Sequence, residues 1–289
     1  MTAERTAVGI AQWLAEPGLG EQNLETALGY VRELAEHGAE LVVLPELWPS
    51  GYRVSSLGDD TRATAEPLDG PRGEALARVA VETGVWLAAG TVPELDGGTV
   101  YNSAVVYSPR GELVATHRKA YLYGSAEHEA FTAGDCLTTF EREPFGRVGL
   151  AVCFDGDFPE TARALGRAGA QLVLLPSAYE VEAAESWDRI YPANAIANGQ
   201  WWIMVNQCGA HGTQTLLGAS RVLSPFGETI AEAVRAGIGE TPDPELLVVE
   251  LPLRAGLDAW QAGYATLLQT EPRELPVAGL PEPSRGGRR

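Results

Sequence analysis

The sequence predicts an α/β fold made of two related halves, each a sheet covered by helices, facing each other in a single domain. Three observations carry that prediction. Apolar residues alternate between strand-like runs and stretches of helical period. Two segments recur in the same order in both halves, and no Pro/Gly-rich linker of useful length separates them.

Residues 7–13 read as a strand, after which Leu24, Ala27, Leu28, Val31, Leu34 and Ala35 recur at helical spacing until Gly38 offers a stop. A buried strand over 41–46 follows, then a helix over 72–83 stopped by Gly84, then an apolar run over 85–92. The runs 99–107 and 113–119 flank Ser108-Pro109-Arg110-Gly111, which has the composition of a tight turn. An apolar strand over 148–152 leads to Pro159-Glu160-Thr161, where a helix begins. Pro192, inside a later helical stretch, predicts a kink. At the end of the chain Arg285, Arg288 and Arg289 sit among Pro, Gly and Ser, so residues 271–289 are expected to form an extended or disordered tail after a domain of residues 1–270.

The repeat is read directly. The stretch 37–46, His-Gly-Ala-Glu-Leu-Val-Val-Leu-Pro-Glu, resembles 168–177, Ala-Gly-Ala-Gln-Leu-Val-Leu-Leu-Pro-Ser. Likewise 103–112, ending Ser-Pro-Arg-Gly-Glu, resembles 219–228, ending Ser-Pro-Phe-Gly-Glu. Turn chemistry alone makes Ser-Pro-x-Gly-Glu common. The paired match in the same order points instead to two related halves.

Composition excludes several functions. With 289 residues and 45% hydrophobic content the chain can bury a sizeable core. No apolar run approaches the roughly 20 residues that span a bilayer, so a cytoplasmic protein is expected. A formal net charge of -18 disfavours nucleic acid and anionic lipid, which attract concentrated Lys and Arg. Cys136, Cys153 and Cys208 are widely spaced with no C-x-x-C pair, which suits reduced thiols. His37, His117, His128 and His211 show no metal-ligand spacing.

Three strand ends carry chemistry. Cys153 closes the strand over 148–152 just before a helix, where it can be exposed at the sheet edge and where the helix N-terminus favours a thiolate. Glu46 ends the strand over 41–46 and Lys119 the run over 113–119. Each alone has an ordinary reading: a small buried hydrophobe, a surface cap, a solvated lysine. Together they supply what acyl transfer needs, a nucleophile, a proton acceptor and an oxyanion stabiliser.

At these residues the sequence resembles the nitrilase superfamily of carbon–nitrogen hydrolases. The resemblance rests on Leu-Pro-Glu-Leu-Trp-Pro-Ser-Gly-Tyr over 44–52, His-Arg-Lys-Ala-Tyr-Leu-Tyr-Gly over 117–124, and Gly-Leu-Ala-Val-Cys-Phe-Asp-Gly-Asp-Phe-Pro-Glu over 149–160. These blocks fall in the family's order, and the similarity runs from about residue 6 to about residue 253. It implies a four-layer α-β-β-α sandwich with an internal pseudo-twofold repeat, and a Glu-Lys-Cys triad on Glu46, Lys119 and Cys153. It also implies a second glutamate after the lysine. Its spacing to Phe131 and Gly134 assigns this to Glu127, with Glu129 the alternative two residues on.

The implied reaction is cofactor-free hydrolysis of a small amide through a thioester on Cys153. Glu46 is the base, and Lys119 with the Phe154 backbone N–H holds the oxyanion. Trp48, Tyr52, Tyr179 and Trp187 are candidate substrate contacts, with core packing the competing reading for each. The run over 119–124 is most similar to aliphatic amidases and ω-amino-amide hydrolases. Nitrile and N-carbamoyl hydrolysis are the alternatives, the latter disfavoured because no arginine stands out as a carboxylate clamp. The family's habit implies a homodimer or higher homo-oligomer.

Two features depart from the family. Its Ala-Arg-Ala-x-Glu-Asn helix reads Ala-Asn-Ala-Ile-Ala-Asn over 193–198, so that both partners of an ion pair are absent. Its basic-rich ending is replaced by residues 256–270.

Overall fold

The computed structural model describes residues 5–142 and 146–270, so the tail expected at 271–289 lies outside the described residues. The first half runs β1 (Thr6–Gln12), α1 (Gly20–Glu36), β2 (Leu41–Val43), α2 (Leu57–Thr64), α3 (Pro71–Thr83), β3 (Trp86–Asp96), β4 (Thr99–Tyr107) and β5 (Leu113–Arg118). A short helix, α4 (Gly124–Ala130), then leads across. The second half runs β6 (Thr138–Arg142), β7 (Gly146–Leu150), α5 (Pro159–Arg167), β8 (Leu172–Ser177), α6 (Ala184–Asn198) and β9 (Trp201–Asn206). It continues with a hairpin, β10 (Cys208–His211) and β11 (Gln214–Leu217), then β12 (Arg221–Leu223) and β13 (Thr229–Glu232). The described chain closes with β14 (Glu245–Leu251), α7 (Leu253–Tyr264) and α8 (Thr266–Gln269).

Two six-stranded sheets form, ordered β14-β1-β2-β3-β4-β5 and β6-β7-β8-β9-β12-β13. Read side by side they give the pseudo-twofold repeat. In each sheet three central strands are parallel, β1-β2-β3 and β7-β8-β9, and antiparallel strands flank them.

Side-chain alternation explains the layering, because neighbouring strand residues point to opposite faces. Val8, Ile10, Leu41 and Val43 of the first sheet meet Leu172, Leu174, Ile203 and Val205 of the second in one core between the sheets. The intervening Val42 and Leu44 face outward onto Val31 and Leu34 of α1 and Leu76 and Val79 of α3. On the far side Val173, Leu175, Trp202 and Met204 pack on Ala162, Leu165, Trp187, Tyr191 and Ala195 of α5 and α6. The result is a four-layer α-β-β-α sandwich. Among the described residues no helix is long and apolar enough to cross a membrane.

Two strands end sooner than their apolar runs suggest. After β2, Leu44 donates one more backbone bond to Ala88, and Pro45, which lacks an N–H, takes the chain out of the sheet. The run over 148–152 likewise leaves regular pairing at Leu150. α6 continues through Pro192 as one helix. The unread stretch 256–270 is helical, with Leu257 and Trp260 buried against the sandwich.

Candidate active site

The three predicted residues converge where the two halves meet. Glu46 stands in the turn just past β2, and its backbone crosses to the other half: its N–H donates to Ser177 O at 3.3 Å, and its carbonyl accepts from Gln207 Nε2 at 2.8 Å. Gly90 makes room for that turn. It lies in an irregularity of the β3–β4 pairing with φ +64°, and a Cβ there would sit 1.9 Å from Pro45 O.

Lys119 follows β5. Its backbone is clamped by Asn102 O, which accepts its N–H, and by Gly134, whose N–H donates to its carbonyl, each at 2.8 Å. Its Nζ donates to Glu46 Oε1 at 2.9 Å and to Glu127 Oε1 at 2.7 Å, and all three side chains are fully buried. Tyr52 Oη also donates to Glu127 Oε1, at 2.9 Å, and the Tyr123 N–H to Oε2, at 2.9 Å. Glu129 is exposed on α4 and points away from this cluster.

Cys153 heads a short 3-10 turn, 7% exposed, with φ +46°, a left-handed conformation that a residue with a Cβ rarely adopts. Such strain is held by the surroundings, and Asp155 supplies much of the hold. Its Oδ2 accepts from Val152 N at 2.9 Å and pairs with His117 Nε2 at 3.0 Å, while Oδ1 accepts from the backbone N–H groups of Ala120 and Tyr121 at 3.0 and 2.8 Å. One buried carboxylate thus ties the cysteine turn to the lysine strand end.

Electrostatics separate the three groups. Desolvation is the largest influence on Lys119 and acts downward, but Glu127 and Glu46 together hold the ammonium well above its usual pKa. Burial raises the Glu46 carboxyl, Lys119 opposing and Glu127 reinforcing. Burial also pushes the Cys153 thiol well up, with Glu46 adding to the rise, while Lys119 and the Ala178 backbone N–H act against it. At neutral pH the resting state therefore holds an ammonium and a thiol.

Glu46 Oε1 is already served by Lys119 and by Asn102 Nδ2 at 2.8 Å, whereas Oε2 is buried with no donor among the described residues. A buried carboxylate oxygen without a donor is costly unless a proton or ligand arrives to use it.

A pocket of about 250 Å³ opens onto Cys153, walled by Tyr52, Tyr123, Phe154 and Tyr179 and with Asp157 and Glu180 on its lining. Phe154 is the second residue of the 3-10 turn, where backbone N–H groups lack a partner within the helix. Trp48 and Trp187 are not on the wall. Trp48 is buried between the first sheet and its helices with Nε1 donating to Ala89 O at 2.7 Å. Trp187 lies behind Tyr179, its Nε1 donating to Ala219 O at 3.0 Å. Both satisfy their only polar atom inside the core, which leaves nothing to offer a substrate.

Sequence reasoning left several residues unassigned: Asn102, Asp155 and Gln207 around the cluster, and Asp157, Glu180 and Tyr123 at the pocket. Asp155 and Asp157 stand within the quoted 149–160 block, a signal that could have drawn attention to them. The altered 193–198 stretch also has a place here, since Asn194 Nδ2 donates to Gly156 O at 2.9 Å in the cysteine turn. Among the described residues no group of three His, Cys, Asp or Glu side chains could hold a metal ion.

Comparison with known proteins bears directly on this geometry. The profile of the family described as Carbon-nitrogen hydrolase matches residues 6–254. The chain belongs to that family. This carbon–nitrogen hydrolase is 31% identical over 236 residues to an omega-amidase, NIT2, of Xenopus tropicalis, covering 78% of this chain and 83% of the relative. It is 30% identical over 221 residues to the Homo sapiens omega-amidase NIT2, covering 73% and 78%. Among solved structures, an amidase from Nesterenkonia sp. superposes with a TM-score of 0.76 at 28% identity, covering 93% of this chain and 97% of that one. A structure of a variant of the amidase from Nesterenkonia sp. AN1 shows the result of Michael addition of acrylamide at its active site cysteine. Saccharomyces cerevisiae Nit3, a nitrilase superfamily member, shares the fold with a TM-score of 0.77 at 24% identity, covering 90% and 94%.

Proposed function

We propose that this hydrolase cleaves a small aliphatic amide to a carboxylic acid and ammonia, with Cys153 as nucleophile, Glu46 as general base and acid, Lys119 as oxyanion stabiliser and Glu127 as the residue that positions Lys119. The observation that carries the reading is the division of labour on Glu46, one oxygen saturated by Lys119 and Asn102 and the other buried without a donor. That free oxygen is suited to take a proton and to return it.

The steps follow from the charges. Glu46 takes the Cys153 proton as sulfur attacks the amide carbon, because a thiol with a raised pKa does not ionise in advance. Charge develops on the carbonyl oxygen, and Lys119, whose ammonium the two glutamates preserve, meets it together with the Phe154 N–H. The C–N bond breaks as Glu46 returns the proton to nitrogen, and ammonia leaves a thioester. Water, deprotonated by the same carboxylate, attacks the thioester. The C–S bond then breaks, the acid departs and the sulfur is reprotonated.

The amidases among its relatives favour an amide over a nitrile as substrate. The assembly we propose is a symmetric homo-oligomer built on a dimer, the commonest closed arrangement. Intact-mass detection of an acyl adduct on Cys153, across a small library of amides, nitriles and carbamoyl compounds, tests the chemistry. Adducts and ammonia from short-chain amides are expected. Turnover of nitriles with no turnover of amides overturns the reading.

A further inference from the structure

We infer that Tyr191 is a positioning residue for the reaction: its hydroxyl holds the Cys153 carbonyl and thereby aims the Phe154 N–H at the developing oxyanion. The inference rests on the amide-hydrolase reading above and deepens it, adding a fully buried residue that lies behind the pocket wall rather than on it.

What matters is the peptide between Cys153 and Phe154. In a trans peptide the C=O and N–H point in opposite directions within one rigid plane, so whatever fixes the Cys153 oxygen also fixes the direction of the Phe154 hydrogen. Tyr191 Oη donates to that oxygen at 3.2 Å. The left-handed backbone at Cys153, φ +46°, is not one that local preference would maintain. The plane therefore needs a hold from outside.

Helix α6 supplies it. The Tyr191 ring is wedged among Tyr179, Trp187 and Trp202, with centroids 6.0, 5.5 and 5.8 Å away. The cysteine turn packs directly onto it, since a Cβ at Gly156 would meet Tyr191 Cε1 at 2.6 Å. Asn194, three residues on and so on the same helix face, donates from Nδ2 to Gly156 O at 2.9 Å. One face of α6 thus grips two carbonyls of the turn, while Asp155 ties the same turn to β5 and the residues after it.

The hydroxyl is itself held. Asp157 Oδ1 lies 2.7 Å from Tyr191 Oη and also accepts from the Tyr179 hydroxyl. The Tyr191 proton is therefore shared between a carboxyl oxygen and the Cys153 carbonyl, a three-centre arrangement whose longer arm reaches the carbonyl. Burial, with Tyr179 and Asp157 adding to it, holds the Tyr191 pKa well above its usual value, so the hydroxyl keeps its proton. Such an arm contributes little at rest. It strengthens when the Phe154 N–H meets negative charge, because the peptide polarises and its carbonyl becomes a better acceptor. An interaction that grows only as charge develops raises kcat and leaves ground-state binding alone.

Tyr191→Phe removes the hydroxyl and keeps the ring. With butyramide as substrate, kcat by ammonia release is expected to fall about tenfold, less than the roughly 10²–10³ lost with an oxyanion donor itself, while KM stays within about twofold. Butyraldehyde separates positioning from packing. It adds to Cys153 as a hemithioacetal: the C–S bond forms, the carbonyl oxygen takes the charge and then the thiol proton, and that oxygen sits where the oxyanion does. Its inhibition constant is expected to weaken by the same factor as kcat. Butyramide binding to Cys153→Ala, measured by calorimetry, is expected to be unmoved when Tyr191→Phe is added. The inhibition constant and KM do not depend on how much of the variant is folded, so the comparison survives a poor yield. A kcat within about twofold of the parent overturns the inference, as does equal weakening of aldehyde and amide binding. Aldehyde inhibition weakened by Tyr191→Phe in an enzyme that releases no ammonia from any amide upholds the positioning role and overturns the amide reading instead.

Discussion

At the scale of single residues, the site is a buried ammonium shared between two carboxylates, and its members are not interchangeable. Glu46→Gln keeps a side chain that can face Lys119 but cannot take a proton, so kcat is expected to fall by about 10²–10⁴. Steady-state ammonia release would check this, and a variant within tenfold of the parent would remove Glu46 from the mechanism. The sign of the pH dependence also follows. In the proposed mechanism Glu46 acts as the carboxylate, and burial raises its pKa. Activity is therefore present above that raised value and lost as pH falls through it. The acid limb of kcat/KM for a neutral amide should lie above the ordinary glutamate value of about 4.3. A limb at or below that value counts against Glu46 as the base. Cys153, Glu46 and Lys119 could be singled out in the sequence because each stands at the end of a strand-like run. Asp155 stands in the same block as Cys153, but its role could not be read there, since it lies in hydrogen bonds to Ala120 and Tyr121, 35 and 34 residues away along the chain. The tryptophans misled for the opposite reason: Trp48 and Trp187 sit near motifs in sequence, but an indole whose N–H finds a backbone carbonyl is equally at home in a core.

At the scale of elements, the cysteine turn and the Glu46 turn are the parts under constraint. Removing Asp155 would leave the N–H groups of Val152, Ala120 and Tyr121 without their acceptor and His117 without its partner. Asp155→Ala is therefore expected to cost about 3–5 kcal/mol. Chemical denaturation would measure it, and a loss under about 1 kcal/mol would mean that another group holds the turn. Gly90→Ala forces a methyl group into Pro45 O and a side chain into φ +64°, so it should destabilise by about 2 kcal/mol or more and displace Glu46. Unchanged melting and unchanged activity would contradict that. Elements with a strong period were legible: the strand over 99–107 matches β4, and Pro159 and Gly84 mark helix ends as expected. The short ones were not. β6, β10, β11 and α4 have four to seven residues each, too few for a period to emerge, and their form depends on what they pack against.

At the scale of the whole molecule, the two halves share one core, and stability is a property of their union. Ile203 is fully buried between the sheets, so Ile203→Ala should cost about 2–5 kcal/mol and lower the single unfolding transition without splitting it. Two separated transitions in calorimetry would mean that the halves unfold independently. The repeat in the sequence foretold paired sheets but not their edges. β14 comes from after the second half yet completes the first sheet, pairing Thr6 with Leu251 through to Gln12 with Glu245. β1 thus waits on a strand that is made only after the whole of the second sheet. Among the described strand pairings this closure spans the longest loop, and it should come late and slowly. A nascent chain stalled before residue 245 would hold an open β1 edge, a natural point of capture for a chaperone or of misassembly with a neighbouring chain.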